Sequence, residues 1–392
     1  MSDRTLQVVW SVLALIAVGL ITATISLFVH TRPSPAAPTG VNRIAYVSER
    51  DGTYRIFTSD IQGDGATRLL ATERDELFPV CEASSASGDT EPRLAFLGLE
   101  FDAPEGHDTG PGVPGGVFVV GHKGGQPRKV SGHVERVAPV APTWSPDGRQ
   151  LAFAGFEDLN GDGQYTEQEA GIFVADLDTG EAKRAASALV AGMRLAWSPA
   201  GEFIIAKGPQ ANTSDITAFL VDLSTGEIHT HPDIAQITMA CWSPDGTRVA
   251  AYSRADHKFH ILDIEDDASE LYAFDAPAGD VFDLLWASGT GGGAQNTERL
   301  YVVAGHDEEL GVGPLYSRST QPSPEEPWTR VTGSLSYVLF LSASLDGRYL
   351  AYTQFSSEQE GNIYVLEAGQ EEPRLVTSAP GFEGLVTWIP GQ

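Results

Sequence analysis

VAPTWSPDGRQLAFAGFEDLNGDGQYTEQEAGIFVADLDTGE, residues 140–181, is the pattern that the rest of the chain repeats. An apolar run ends at Trp144, and Ser145-Pro146-Asp147-Gly148 follows. That tetrapeptide suits a tight turn: proline presets φ at the second position, aspartate tolerates the third and glycine supplies the fourth. Leu-Ala-Phe-Ala at 151–154 is too short and too β-rich for a helix. After an insertion, Ile-Phe-Val-Ala-Asp-Leu at 172–177 alternates as a strand, and Asp178-Thr179-Gly180 turns the chain again. Strand, turn, strand, loop, strand, turn, strand makes one four-stranded antiparallel unit. The fold class is all-β.

Six relatives of this unit complete the chain. Second strands read RIAYVS (43–48), RLAFL (93–97), QLAFA (150–154), FIIA (203–206), RVAAY (248–252), RLYVV (299–303) and YLAY (349–352). Third strands centre on Ile56, Phe118, Phe173, Phe219, Phe259, Leu315 and Ile363. The first turn recurs as SPAG (198–201), SPDG (243–246) and SLDG (344–347). In the sixth unit it becomes the longer SGTGGG (288–293), which no Gly-Lys-Ser/Thr follows, so it does not read as a phosphate loop.

The two ends carry complementary halves of the pattern. The first unit starts at its second strand, whereas GLVTWIPG (384–391) matches a first strand with nothing after it. Such ends imply a closed ring, here of seven four-stranded blades, in which the C-terminal strand completes the first blade and removes two open sheet edges. Pro79, Pro139 and Pro142 fall in or beside first strands, and proline is tolerated where a strand is an edge lining a channel.

Ahead of the repeats the expected order is a short tail (1–5), a membrane anchor (6–29) and a Pro-rich linker (30–42), with the propeller at 43–392. Residues 6–29 carry no charge and as a helix would span about 36 Å, enough to cross a bilayer. A cleaved signal peptide is the alternative, with a shorter apolar region and a small-residue cleavage site. The short tail favours a cytoplasmic N-terminus and an extracytoplasmic domain. The formal charge of the chain, −28, argues against nucleic acid as a partner and favours cations or basic ligands. Lysine is confined to Lys123, Lys129, Lys183, Lys207 and Lys258, a composition that also fits adaptation to high salt. Cys81 and Cys241 fall on first strands three units apart, which predicts two unpaired thiols.

At the repeated Trp-Ser-Pro-Asp-Gly turn, the Leu-Ala-Phe-like second strand and the Ile-(Phe/Tyr)-Val-x-Asp third strand, residues 43–392 resemble the TolB-type, WD-like β-propeller family. The resemblance implies the fold and little chemistry. The family's name-giving protein has six blades and an N-terminal α/β domain, where this chain has seven units and an apolar segment. Related propellers also precede the hydrolase domain of prolyl-oligopeptidase-like peptidases.

No Gly-x-Ser-x-Gly elbow and no His-Glu-x-x-His occurs. His229 with His231, and His257 with His260, read as ordinary strand surface. The long acidic loops at 100–116 and 157–170, with Asp307, Glu308, Glu309, Glu358 and Glu360, gather negative charge on one face. A protein, peptide or glycan ligand is expected there. The favoured function is a membrane-anchored, non-catalytic binding or scaffolding module. The alternative is an enzyme or enzyme subunit, either glycan-active or the partner of a separate peptidase chain.

One loop carries a sharper signal. In DLNGDGQYTEQE (158–169) the six positions that wrap calcium in a twelve-residue loop hold Asp158, Asn160, Asp162, Gln164 (through its carbonyl), Thr166 and Glu169. Gly163 falls at the sharp turn and Tyr165 at the apolar pinning position. Strands flank the loop in place of two helices, so the expectation is a structural calcium ion that stiffens the third blade.

Overall fold

The computed structural model describes residues 43–390, apart from 51, 83–90, 101–110, 210–214, 265–267, 290–296, 306–312, 322–325, 334–336, 358–359, 368–369 and 371. The proposed anchor at 6–29 lies outside the described residues. Among those described, no helix is long and apolar enough to cross a membrane.

Among the described residues strands account for nearly all the regular structure, and the one helical element is a 3₁₀ turn at Glu167–Glu169. Each second and third strand read from sequence is present, and the two pair antiparallel in each unit, as Gln150–Phe156 does with Ala170–Asp176. Four sheets have four strands in chain order; they belong to units four to seven. A further four-stranded sheet runs Glu383–Ile389, Arg43–Ser48, Arg55–Asp60, Thr67–Arg68, so the C-terminal strand supplies the first strand that unit one lacks.

Units two and three differ from the expected separate sheets. A two-residue strand, Arg136–Val137, pairs with Val113 and Pro114 of unit two and with Gly155 and Phe156 of unit three, fusing them into one nine-stranded sheet. The third strand of unit two (Val113–Gly121) is long enough to meet the linking segment. The Arg136 guanidinium pins the joint by donating to the Pro111 and Gly112 carbonyls at 3.0 and 2.7 Å.

The repeated turn works as its composition dictates. Gly148 N–H donates to the Ser145 carbonyl at 2.9 Å, with Gly148 at φ +70°. Ser145 Oγ donates to Asp147 Oδ1 (2.6 Å) and accepts from Gln150 N–H (2.9 Å). The same bonds recur around Ser243 and Ser344. Glycine is required twice over, for its left-handed φ and for close approach. A Cβ on Gly148 would lie 2.1 Å from Glu82 Oε1 of the preceding unit, and one on Gly347 would lie 1.8 Å from the Ser288 carbonyl.

Apolar side chains fill the spaces between sheets. Units one and two share a core around Ile56, Leu94 and Phe96, units three and four around Ile172 and Ile204, and units four to six around Ile205, Phe259 and Trp286. A larger cluster joins units two and three and units six and seven. Ile44, Tyr46 and Phe57 of unit one pack on Ala351, Ile363 and Val365 of unit seven, together with Trp388. A tryptophan hydrogen bond repeats between neighbouring first strands: Trp144 donates to the Val80 carbonyl (3.0 Å), Trp242 to Ala196 (3.2 Å) and Trp388 to Ser342 (3.0 Å). The last of these ties the C-terminal strand to unit seven.

Candidate functional site

First strands from units one, two, three, four and seven surround a cavity of about 120 Å³. Its wall is mainly apolar, with Phe78, Val80, Met193, Phe340, Leu385 and Trp388 among its lining residues. It reaches Pro146, Gly148 and Leu345 at the turn tips, which in an antiparallel unit lie at the opposite end from the second-to-third-strand loops.

Three of the lining residues adopt left-handed backbone without being glycine: Phe78 (φ +52°), Phe340 (+60°) and Leu385 (+53°). Each sits at a register shift in a first strand, at Leu77/Val80, Leu339/Ser342 and opposite Ala45/Val47. A bulge of this kind re-aims a side chain, and left-handed backbone at a bulky residue costs on the order of 1–3 kcal/mol. Three such bulges at equivalent places shape one cavity.

Two charged residues meet at its edge. Arg194 Nη1 donates to the Leu341 carbonyl at 3.2 Å, and Asp283 Oδ2 accepts from the N–H of the same Leu341 at 2.9 Å. Asp283 is buried, and its other oxygen accepts from Leu284 N–H at 2.9 Å. Burial pushes its carboxyl up to about 6, against the opposing pull of the Arg194 charge and of the backbone N–H groups. Sequence reading passed over both residues. The available signal was a carboxylate inside an otherwise apolar strand, Val-Phe-Asp-Leu-Leu-Trp at 281–286.

The loop at 157–170 is organised largely by its own side chains. Asp158 accepts from Gly161, Asp162 and Gly163 N–H at 2.7, 3.2 and 2.9 Å. Asn160 Oδ1 accepts from Asp162 N–H (2.8 Å), Asn160 Nδ2 donates to Asp162 Oδ2 (3.1 Å), and Asp162 Oδ1 accepts from Gln164 N–H (2.7 Å). Glu169 is buried and accepts from Leu159 N–H and from both the N–H and hydroxyl of Thr166. Asp158, Asn160 and Asp162 therefore cluster, while Glu169 closes the loop onto Thr166. No group of three or more His, Cys, Asp or Glu side chains among the described residues converges on a metal position. The donors are all hard oxygens, and Gly161 and Gly163 have φ of +73° and +74° in open space, so the loop residues fit a calcium ion. Arg136 lies over the Tyr165 ring at 5.3 Å, and Arg184 donates to the Glu169 and Ala170 carbonyls, which fixes the loop's base.

His231, His257 and His260 are bonded to other groups, and His260 is buried, not on the strand surface expected of it. The outer strand ends at His229, and His231 beyond it accepts from Asp233 and Ile234 N–H. His257 bonds Tyr252 and the Pro277 carbonyl, whereas His260 sits between Glu270 and Asp256. Cys81 and Cys241 are free, and burial pushes both thiols well above their ordinary range. Of the other acidic positions, 101–110, 307–309 and 358 lie outside the described residues.

No protein-family model matches the chain, and no curated protein matches it in sequence. Among solved structures it is similar to the crystal structure of TolB from Acinetobacter baumannii, with a TM-score of 0.52 and 14% identity over 90% of this chain and 68% of that one. At that identity the likeness concerns the fold: this is a TolB-like β-propeller architecture.

Proposed function

We propose that residues 43–392 form a seven-bladed β-propeller, closed into a ring by the C-terminal strand, that binds or scaffolds a partner without chemistry of its own. The ring is supported by the packing of unit seven on unit one and by the repeated tryptophan bond, which continues across the junction of the two chain ends. The binding reading rests on the cavity. It is concave and mainly apolar, with a few polar groups at its wall and three bulged side chains aimed by strained backbone, the form a recognition site takes. Ala343 lies half-buried in that wall. Affinity capture with the full chain should recover a protein, peptide or glycan partner, and Ala343→Trp, which fills the cavity, should reduce recovery about tenfold with the melting curve unchanged. Equal recovery by the two proteins would move the site off the cavity.

Residues 6–29 act in this account as a single-pass anchor and residues 30–42 as a stalk, with the propeller outside the cytoplasm. The support is the uncharged length of 6–29. Protease added to intact cells should digest or release the propeller; full protection until lysis would reverse the topology.

The loop at 158–169 holds a structural calcium ion through Asp158, Asn160, Asp162, the Gln164 carbonyl, Thr166 and Glu169. Bound, the ion supplies charge that offsets the loop's carboxylates and orders the acidic face. Millimolar calcium should raise the melting temperature, and Asp158→Ala or Glu169→Ala should remove that rise. A wild-type chain with neither a thermal shift nor heat on titration has no such site.

A further inference from the structure

The outermost strand of each unit leaves one row of backbone N–H and C=O groups without a sheet partner, and proteins blunt such edges by keeping them short and placing cations on them. Among the described residues, five of the seven outer strands are two residues long: Thr67–Arg68, Arg128–Lys129, Ile228–His229, Thr329–Arg330 and Arg374–Leu375. Ala182–Ala186 has five residues and carries Lys183 and Arg184. All six therefore include an arginine, lysine or histidine. The outer strand of unit five has neither of these two, and a bulge is its one blunting feature. Ser269–Asp275, SELYAFD, is seven residues long, contains no basic residue and no proline, and is the last strand of its sheet.

Unit six holds one face of this strand and fills one acceptor of its edge. Tyr272 and Phe274 stack on each other, and Trp328 of unit six packs against Phe274 and donates to the Asp275 carbonyl at 2.8 Å, so one face is held rigid. The Tyr272 hydroxyl donates to the Thr320 carbonyl of the same unit. Near the middle of the strand a bulge lies opposite Ile261 and Leu262, and its extra residue, Leu271, stands 48% exposed. The exposed charges along the edge are Glu270, which also bonds His260 at 2.6 Å, and Asp275, both negative.

We propose that Ser269–Asp275 is a docking edge at which an extended, basic segment of a partner protein adds as a further strand to the sheet of unit five. Main-chain hydrogen bonds would give the affinity, Leu271 an apolar contact, and the carboxylates the preference for lysine or arginine. A second copy of this chain is disfavoured as the occupant, because two such edges would bring Glu270 and Asp275 against their own kind between molecules of net charge −28.

The test uses the full chain and a short fluorescent peptide alternating lysine with valine, beside its glutamate–valine counterpart. Anisotropy should saturate with the basic peptide only, weaken as salt is added, and slow amide exchange at residues 269–275. Leu271→Lys gives this edge the cation the others carry and should weaken binding about tenfold. Leu375→Lys, on the exposed outer strand of unit seven, should leave it unchanged. Absence of saturation, equal binding of the acidic peptide, or loss with Leu375→Lys would each overturn the proposal. So would sedimentation showing a dimer that Leu271→Lys dissociates, because the occupant would then be a second copy.

Discussion

Deleting residues 383–392 abolishes the cooperative unfolding transition or lowers its midpoint sharply. The lost strand, Glu383–Ile389, pairs along Arg43–Ser48 and buries Val386, Trp388 and Ile389 between units. It also removes Glu383, whose fully buried carboxylate accepts from Ser48 and Arg50 and from the Ala379 N–H. Large-to-small changes at a buried tryptophan cost about 3–5 kcal/mol, and each buried valine or isoleucine adds about 1.5–3 kcal/mol. The total is comparable with the roughly 5–15 kcal/mol that holds a domain together. Trp388→Ala is the milder form and should destabilise by about 3–5 kcal/mol. Calorimetry on both variants checks this. A truncated chain that melts like the intact one means the C-terminal strand does not close the fold.

Lys207→Met makes the protein more stable. Lys207 lies on Phe203–Pro209 of unit four at 1% exposure, and its amine finds no hydrogen-bond partner among the described residues. Burial, reinforced by the positive charge of Arg254, lowers its pKa well below the ordinary lysine value. Methionine keeps the shape and removes the cost of burying an unpaired amine, about 1–3 kcal/mol. The pH dependence follows from the direction of the shift. Between the depressed folded pKa and the unfolded value near 10.4, the unfolded chain binds a proton that the folded chain does not. Wild-type stability from this residue therefore rises with pH through that window. The advantage of methionine should be greatest below the window and fall to a pH-independent remainder above about pH 10.4, where the cost of the unpaired neutral amine is left. A variant less stable than wild type at neutral pH would mean that the amine holds a compensating partner.

The second and third strands were legible because period-two alternation and the Ser-Pro-Asp-Gly turn are local signals repeated in each unit. The complementary ends were legible for the same reason, since GLVTWIPG reads as a first strand wherever it stands. The calcium ion proposed for 158–169 was likewise read from local spacing. The bridging strand Arg136–Val137 has no periodicity of its own and forms only because Val113–Gly121 and Gln150–Phe156 reach it. The bulges at Phe78, Phe340 and Leu385 leave the apolar run intact, so composition gives no sign of left-handed backbone there. Cavity position depends on how distant first strands converge, and Arg194 and Asp283 meet at Leu341 only in the folded chain. Lys207 was visible as one charge in the apolar run Phe-Ile-Ile-Ala-Lys at 203–207, but its burial follows from packing.

A covalent link between the chain ends tests the ring itself. Arg43 and Ile389 face each other as partners in the antiparallel pair. Residues so placed have Cα atoms roughly 4.5–5.5 Å apart, within the span of a disulfide. Arg43→Cys with Ile389→Cys, in a Cys81→Ser background, should oxidise readily in the folded protein. With a protease site inserted at 290–296 and cleaved after oxidation, the two fragments should run as a single species without reductant and separate when it is added. Two fragments under both conditions would show that the C-terminal strand does not lie beside the first, and the closed ring would have to be abandoned.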